Sequence, residues 1–144
     1  MNNRRVLAIG VFDLFHVGHL RYLQYVRKQG SHMSVAISRD EVSLATKGKL
    51  PVIPQAQRME MIQGLGWVDT VRLQPCSTLY ATEAAEWIAQ WEIDLVVGGG
   101  EWHGSARWTR LTAALAERGI AVSFAPYTDE VSSTQIIEQI RAGR

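Results

Sequence analysis

The fold of this chain is constrained above all by the alternation of two periodicities. Apolar, β-rich runs stand at Arg5 to Ile9, Met33 to Ile37, Thr70 to Leu73, Asp94 to Val97 and Ala121 to Ala125. Between them apolar residues recur at helical spacing: Leu20, Leu23 and Val26, then Met59, Ile62 and Leu65, then Leu111, Ala114 and Leu115, closed by Gly119. Strands separated by helices join side by side through right-handed crossovers. The pattern therefore predicts an α/β fold, a doubly wound sheet of about five parallel strands with helices on both faces. At 144 residues, 47% hydrophobic and 20% charged, such a sheet is one domain, residues 1–144, with a core of ordinary size. Ligands of open sheets of this kind bind beyond the carboxyl ends of the strands. Four segments should therefore share one edge: Gly10 to Gly18, the loop running to Lys47 and Lys49, Gly98 to Gly100, and Pro126 to Ser132.

Charge narrows the choice of partner. Fifteen Lys and Arg against fourteen Asp and Glu leave a net charge of +1, too small for a nucleic-acid coat or a polybasic membrane adapter. An anionic ligand must be held by a few placed groups. Cys76 stands alone, with no disulfide or zinc spacing, which suits a reducing cytoplasm. Only Val6 to Ile9 are apolar near the N-terminus, too few for a signal-peptide core or a membrane span. No nucleic acid and no membrane is expected as a partner.

The segment Gly10-Val11-Phe12-Asp13-Leu14-Phe15-His16-Val17-Gly18-His19 leaves a buried strand, enters a helix and holds two of the four histidines. Two histidines three apart, beside the free N–H groups and positive end of a helix, suit a phosphate. Gly10 would permit a tight exit from the strand, and Gly18 would bring a phosphate close to the backbone. A single histidine here would more simply cap the helix or pack in the core. The paired histidines in a glycine-punctuated turn favour the anion site.

These residues carry a resemblance. Gly-x-Phe-Asp-x-x-His-x-Gly-His over residues 10–19 resembles the signature of the His-x-Gly-His nucleotidyltransferases, most closely the bacterial glycerol-3-phosphate cytidylyltransferases. Val35-Ala36-Ile37-Ser38-Arg39-Asp40-Glu41, Arg58, Trp67-Val68-Asp69, Gly99-Gly100-Glu101-Trp102 and Val131-Ser132-Ser133-Thr134 follow in that family's order and spacing. The resemblance implies a Rossmann-like fold, a homodimer, and transfer of CMP from CTP to a phosphorylated alcohol such as glycerol 3-phosphate, with pyrophosphate leaving. It implies magnesium, carried with the triphosphate, and no dedicated metal ligands; Asp13 would orient rather than ligate.

The resemblance also distributes roles. His16 and His19 would donate to the phosphates. Lys47 would reach the α-phosphate, with Lys49 as its rival, and Arg58 would bind phosphate near the acceptor. The nucleotide would lie along Gly10, Val11, Phe12, Asp13, Gly18, Gly99, Gly100, Glu101, Trp102 and Tyr127. Its β- and γ-phosphates would meet Ser132, Ser133 and Thr134, where Ser132 and Gln135 also fit a capping box. Bland readings stand beside these: solvated loop lysines, a surface ion pair for Arg58, a tight turn for the glycine run, and a core edge for Trp102. Trp87 and Trp91, four apart on one predicted helix, suit packing or a subunit contact. His32 and His103 receive no role.

Departures fall around the nucleoside. Tyr127-Thr128-Asp129-Glu130 stands where the glycerol-phosphate enzymes have Arg-Thr-Glu-Gly, Gly100-Glu101 stands for Asp-Asp, and Val11 stands for threonine. One alternative is an ATP-dependent adenylyltransferase acting on a sugar phosphate or flavin phosphate, to which Leu50 to Pro54 followed by Gln57 and Arg58 is also similar. Another is a nucleotide-binding module without turnover. A dinucleotide-binding domain is disfavoured by the lack of Gly-x-Gly-x-x-Gly, and a class I aminoacyl-tRNA synthetase by length.

Overall fold

The computed structural model describes residues 3–127 and 131–143. Its strands are β1 (Arg5–Gly10), β2 (His32–Ile37), β3 (Thr70–Leu73), β4 (Leu95–Gly98) and β5 (Ala121–Phe124). They form a sheet of order β3-β2-β1-β4-β5 in which every neighbouring pair is parallel. The helices are α1 (Val17–Arg27), α2 (Asp40–Lys47), α3 (Gln55–Gln63), α4 (Ala81–Gln90), α5 (Ala106–Ala116) and α6 (Ser133–Arg141). This is the expected Rossmann-like arrangement, each strand edge within a residue of the apolar runs that predict it. Among the described residues no helix is long and apolar enough to cross a membrane.

The alternation of side chains along each strand splits the core into two layers. Val6, Ala8, Val35, Ile37 and Val97 meet Leu23 and Val26 of α1 and Ile62 of α3 on one face. Leu7, Ala36 and Val96 meet Ala84, Ala85 and Ile88 of α4 and Trp108, Leu111 and Leu115 of α5 on the other. Because both faces are covered, the central strands read as continuous apolar runs rather than alternating ones. Each fully buried Leu, Ile or Val contributes on the order of 1.5–3 kcal/mol.

Three features of the helices sharpen or change the sequence reading. Residues 40–47, read as loop from sequence, form α2, with Asp40 and Glu41 in its first turn and Gly48 as its C-cap at φ 74°. Their short, mixed pattern hides a helix whose dipole and cap are nonetheless well matched. Lys47 is thus a helix-terminal residue, and Lys49 alone lies in the following loop. Trp87 is 4% exposed and belongs to the core, so it offers no surface to a second subunit. Trp91 packs against it at 4.7 Å between ring centroids, and the Arg72 guanidinium lies over the Trp91 ring at 5.0 Å from its centroid. Finally, α6 buries none of its residues, and Ile140 is 65% exposed.

The β1–β4 pairing ends at Ala8 and Val97. Beyond it the Tyr22 hydroxyl of α1 accepts from the Ile9 N–H and donates to the Val97 carbonyl. The phenol replaces the next rung of the ladder and holds the two strands apart. This is where strand order reverses, and the crevice there faces the loops after β1 and β4.

Candidate active site

The loop from β1 to α1 is built on two unusual backbone conformations. Phe12 (φ 57°) and Leu14 (φ 52°) are left-handed, at a cost of roughly 1–2 kcal/mol each. Packing holds them there. The Phe12 ring is 4% exposed and lies against His19 and Tyr22, at 5.5 and 6.2 Å between centroids. Between the two, Asp13 accepts the Val52 N–H at Oδ2 (2.8 Å) and the Ile53 N–H at Oδ1 (2.9 Å), clipping the 50–53 segment to this loop. Its carbonyl accepts from Ser133 Oγ at 2.8 Å, which ties the start of α6 to the same place. One residue thereby aligns three segments.

His16 is the N-cap of α1. Its Nδ1 accepts from the Gly18 N–H at 3.1 Å, and its own N–H donates to His19 Nδ1 at 3.2 Å. The two imidazoles stack 3.7 Å apart. With both Nδ1 atoms accepting, the proton of each neutral ring belongs on Nε2, so each presents an N–H donor. Burial holds the rings neutral. Desolvation, followed by the charge of His16, lowers His19 to about 4 against the opposing pull of Asp13, and desolvation lowers His16 as well. Capping and core packing are therefore real, and they leave the Nε2–H groups available.

The glycines make room for side chains and backbone within these loops. A Cβ on Gly18 would stand 2.9 Å from His16 Cε1, and its N–H is committed to the cap, so this glycine makes room for the imidazole. A Cβ on Gly10 would stand 2.9 Å from the Phe12 ring. Gly100 admits no Cβ because Ala125 O and Tyr127 N lie 2.6 Å from where one would be, so it lets the loop after β5 cross the loop after β4. A Cβ on Gly99 would meet the Glu101 carboxylate.

Arg58 requires a correction. Expected to bind phosphate, or to form a surface pair, it is 1% exposed. Nε donates to Ile53 O (2.9 Å), Nη1 to Val11 O (2.7 Å) and Ser38 O (2.9 Å), and Nη2 to Asp40 Oδ1 (2.6 Å). A guanidinium so engaged beneath the loops has no face for a ligand. It instead fastens the loops after β1 and β2 and the segment before α3. Asp40 extends the tie by accepting from the Gln55 N–H.

Lys47 sits at the end of α2 with a depressed ammonium pKa, caused by desolvation first, then by Arg107 and Lys49, with Asp13 opposing. After β4, Gly100–Trp102 forms a 3-10 turn. Trp102 packs partly on the core, and the Arg107 guanidinium lies over its ring at 5.1 Å. Glu101 is exposed and its charge reaches Tyr22, helping burial to raise that phenol's pKa. Tyr127, 61% exposed, lines an open cleft of about 480 Å³ with Tyr25, Gly100, His103 and Phe124. At α6 the Ser132 Oγ accepts from the Gln135 N–H at 3.1 Å, Ser133 reaches Asp13, and Thr134 is exposed beside them. Thr128, Asp129 and Glu130 lie outside the described residues.

The expected site residues stand on the loops and helix ends that follow the carboxyl ends of the strands, with Arg58 buried beneath those loops. Tyr22 and Arg107 join them without a sequence signal, because their positions follow from helix packing, whereas Asp40 belongs to a segment that the resemblance already includes. Among the described residues, no three His, Cys, Asp or Glu are grouped to hold a metal. Asp13 spends one acceptor position of each carboxylate oxygen on a backbone N–H.

Comparison with known proteins agrees in extent and architecture. The profile of the family described as cytidylyltransferase-like matches residues 7–139. An FAD synthase of Methanolacinia petrolearia is 35% identical over 142 residues, covering 95% of this chain and 90% of that protein. An FAD synthase of Halomicrobium mukohataei is 33% identical over 97% of this chain and 96% of its own. The bifunctional protein HldE of Yersinia pestis is 35% identical over 96% of this chain, which spans 28% of that longer protein. A solved structure, the lipopolysaccharide core biosynthesis protein from Thermoplasma volcanium, superposes with a TM-score of 0.70 at 25% identity, covering 88% of this chain and 98% of that one.

Proposed function

The chain belongs to the cytidylyltransferase-like family of nucleotidyltransferases, and from that premise we propose that it transfers AMP from ATP to a flavin phosphate or a sugar phosphate, releasing pyrophosphate. The observation that carries the adenylyl reading is that relatives matched end to end are named FAD synthase, after a product that joins AMP to a flavin phosphate. The segment Leu50 to Pro54, similar to that of flavin and sugar-phosphate adenylyltransferases, supports it. Transfer of CMP to a phosphorylated alcohol such as glycerol 3-phosphate, which the His-x-Gly-His signature resembles most, is the competing reading.

In the reaction an oxygen of the acceptor phosphate attacks the α-phosphorus, and the bond to the bridging oxygen of pyrophosphate breaks. No covalent enzyme intermediate forms, so the chain has to position the reactants and stabilise developing charge. The Nε2–H groups of His16 and His19 are suited to donate to the α-phosphate and the leaving group. They are neutral in the free enzyme and fixed in tautomer, so no reorganisation is needed. Lys47 supplies positive charge from the α2 end, with Lys49 nearby. Ser133, Thr134 and the start of α6 would hold the far phosphates, a reading supported by the Ser133 contact with Asp13. Magnesium arrives with the triphosphate.

Thermal-shift titration with ATP and CTP tests the base. ATP at a hundredfold excess over its dissociation constant should stabilise the fold by about 2.7 kcal/mol, and CTP at the same concentration by far less. Pyrophosphate release should follow with FMN or a sugar phosphate. Stabilisation and turnover by CTP alone would overturn the adenylyl reading.

A further inference from the structure

We propose that Arg107 is a phosphate-binding residue of this site, held on the face of Trp102 and paired with Lys47 across the crevice to clamp a phosphoryl group of a substrate. The inference rests on the transfer reading above and extends its binding set to a residue with no motif.

The topology places the two cations. β2 and β4 flank β1; Lys47 ends the helix after β2, and Arg107 lies in the first turn of the helix after β4. They stand on either side of the loop that carries His16 and His19. The guanidinium rests 5.1 Å from the centre of the Trp102 ring. Stacking of this kind fixes the plane of the fork and leaves its N–H edges to point outward, an arrangement suited to a phosphate.

Among the described residues no ion pair neutralises these two cations; the ion pairs there are Arg27 with Asp69 and Arg58 with Asp40. Asp13, the acid nearest in effect to Lys47, has both oxygens accepting backbone N–H groups. A cation in the first turn of α5 also opposes the helix dipole, and no acidic residue shares that turn. The mutual repulsion is felt at Lys47, whose ammonium is lowered by Arg107 and Lys49. A bound anion removes each of these costs together.

Thermal shift of wild type, Arg107→Gln, Arg107→Lys and, as an exposed control on the same helix, Arg110→Gln tests this without turnover. Inorganic tripolyphosphate stands for the tail of the nucleotide, and FMN and glycerol 3-phosphate for the acceptor. Arg107→Gln should melt near wild type when unliganded and bind at least one probe about 10–100-fold more weakly. Arg107→Lys should fall between, and Arg110→Gln should match wild type. A loss confined to tripolyphosphate assigns the clamp to the nucleotide, and a loss confined to the acceptors assigns it there. Equal binding of every probe by wild type and Arg107→Gln overturns the proposal. If no nucleotide and acceptor release pyrophosphate with wild type, the transfer reading fails, while the probe measurements still decide Arg107.

Discussion

His16 serves the fold and the site through different atoms of one ring, and that separation can be measured. Nδ1 caps α1, which leaves the ring proton on Nε2. Replacing His16 by alanine should cost about 1 kcal/mol of stability through the lost cap and reduce turnover by about 10²–10³-fold. His16→Asn keeps a capping oxygen, so urea unfolding should return close to wild type while turnover stays low. A variant that recovers both would mean the ring contributes only its cap. His19 adds a pH dependence. Its folded pKa of about 4 lies below the value of about 6.5 expected for the unfolded chain. Between these values the unfolded chain binds a proton that the folded chain does not. Stability should therefore fall as pH drops from about 6.5 to about 4, and this component should vanish in His19→Gln. Urea midpoints across that window, with the histidine NMR titration, check it.

At the scale of elements, the loops are joined by buried polar contacts that no local pattern announces. Arg58→Lys keeps the charge but loses the fork that reaches Ile53, Val11, Ser38 and Asp40 together. It should destabilise by about 3 kcal/mol, since buried partners are left unpaired, on the order of 10 °C in melting temperature. Scanning calorimetry reads this directly, and an unchanged melting temperature would return Arg58 to the role of a surface ligand. Gly100→Ala should separate the loops after β4 and β5, costing about 1–3 kcal/mol and raising the KM for nucleotide. Gly48→Ala, at φ 74° with open space around it, should cost about 1 kcal/mol and leave KM alone. Motif spacing located the turn from β1 into α1, because strand, glycine turn and helix start are local features. It misjudged Arg58 because burial is a property of what lies above a residue. It missed α2 because that helix is only eight residues long and follows directly on the loop after β2.

Across the whole molecule, stability and function divide unevenly. The sheet and the helices α1, α3, α4 and α5 hold the two cores, whereas α6 buries nothing and is fastened at its start by Ser133 to Asp13. Its amides should exchange with solvent quickly in the free protein and slow on nucleotide binding, if the phosphates engage that start. Exchange that is slow throughout would point to a partner already covering the helix. The sequence by itself determined the parallel sheet, its five strands and the family, because period, glycine placement and motif are recorded residue by residue. It also determined that recognition must be local, since a net charge of +1 provides no general attraction for a triphosphate. Only the tertiary structure decided which polar groups face the crevice and which are consumed beneath it. Arg58 and Arg107 are alike as sequence; one is enclosed by four hydrogen bonds and the other is left on an indole face, and that difference arises from the packing of distant segments around them.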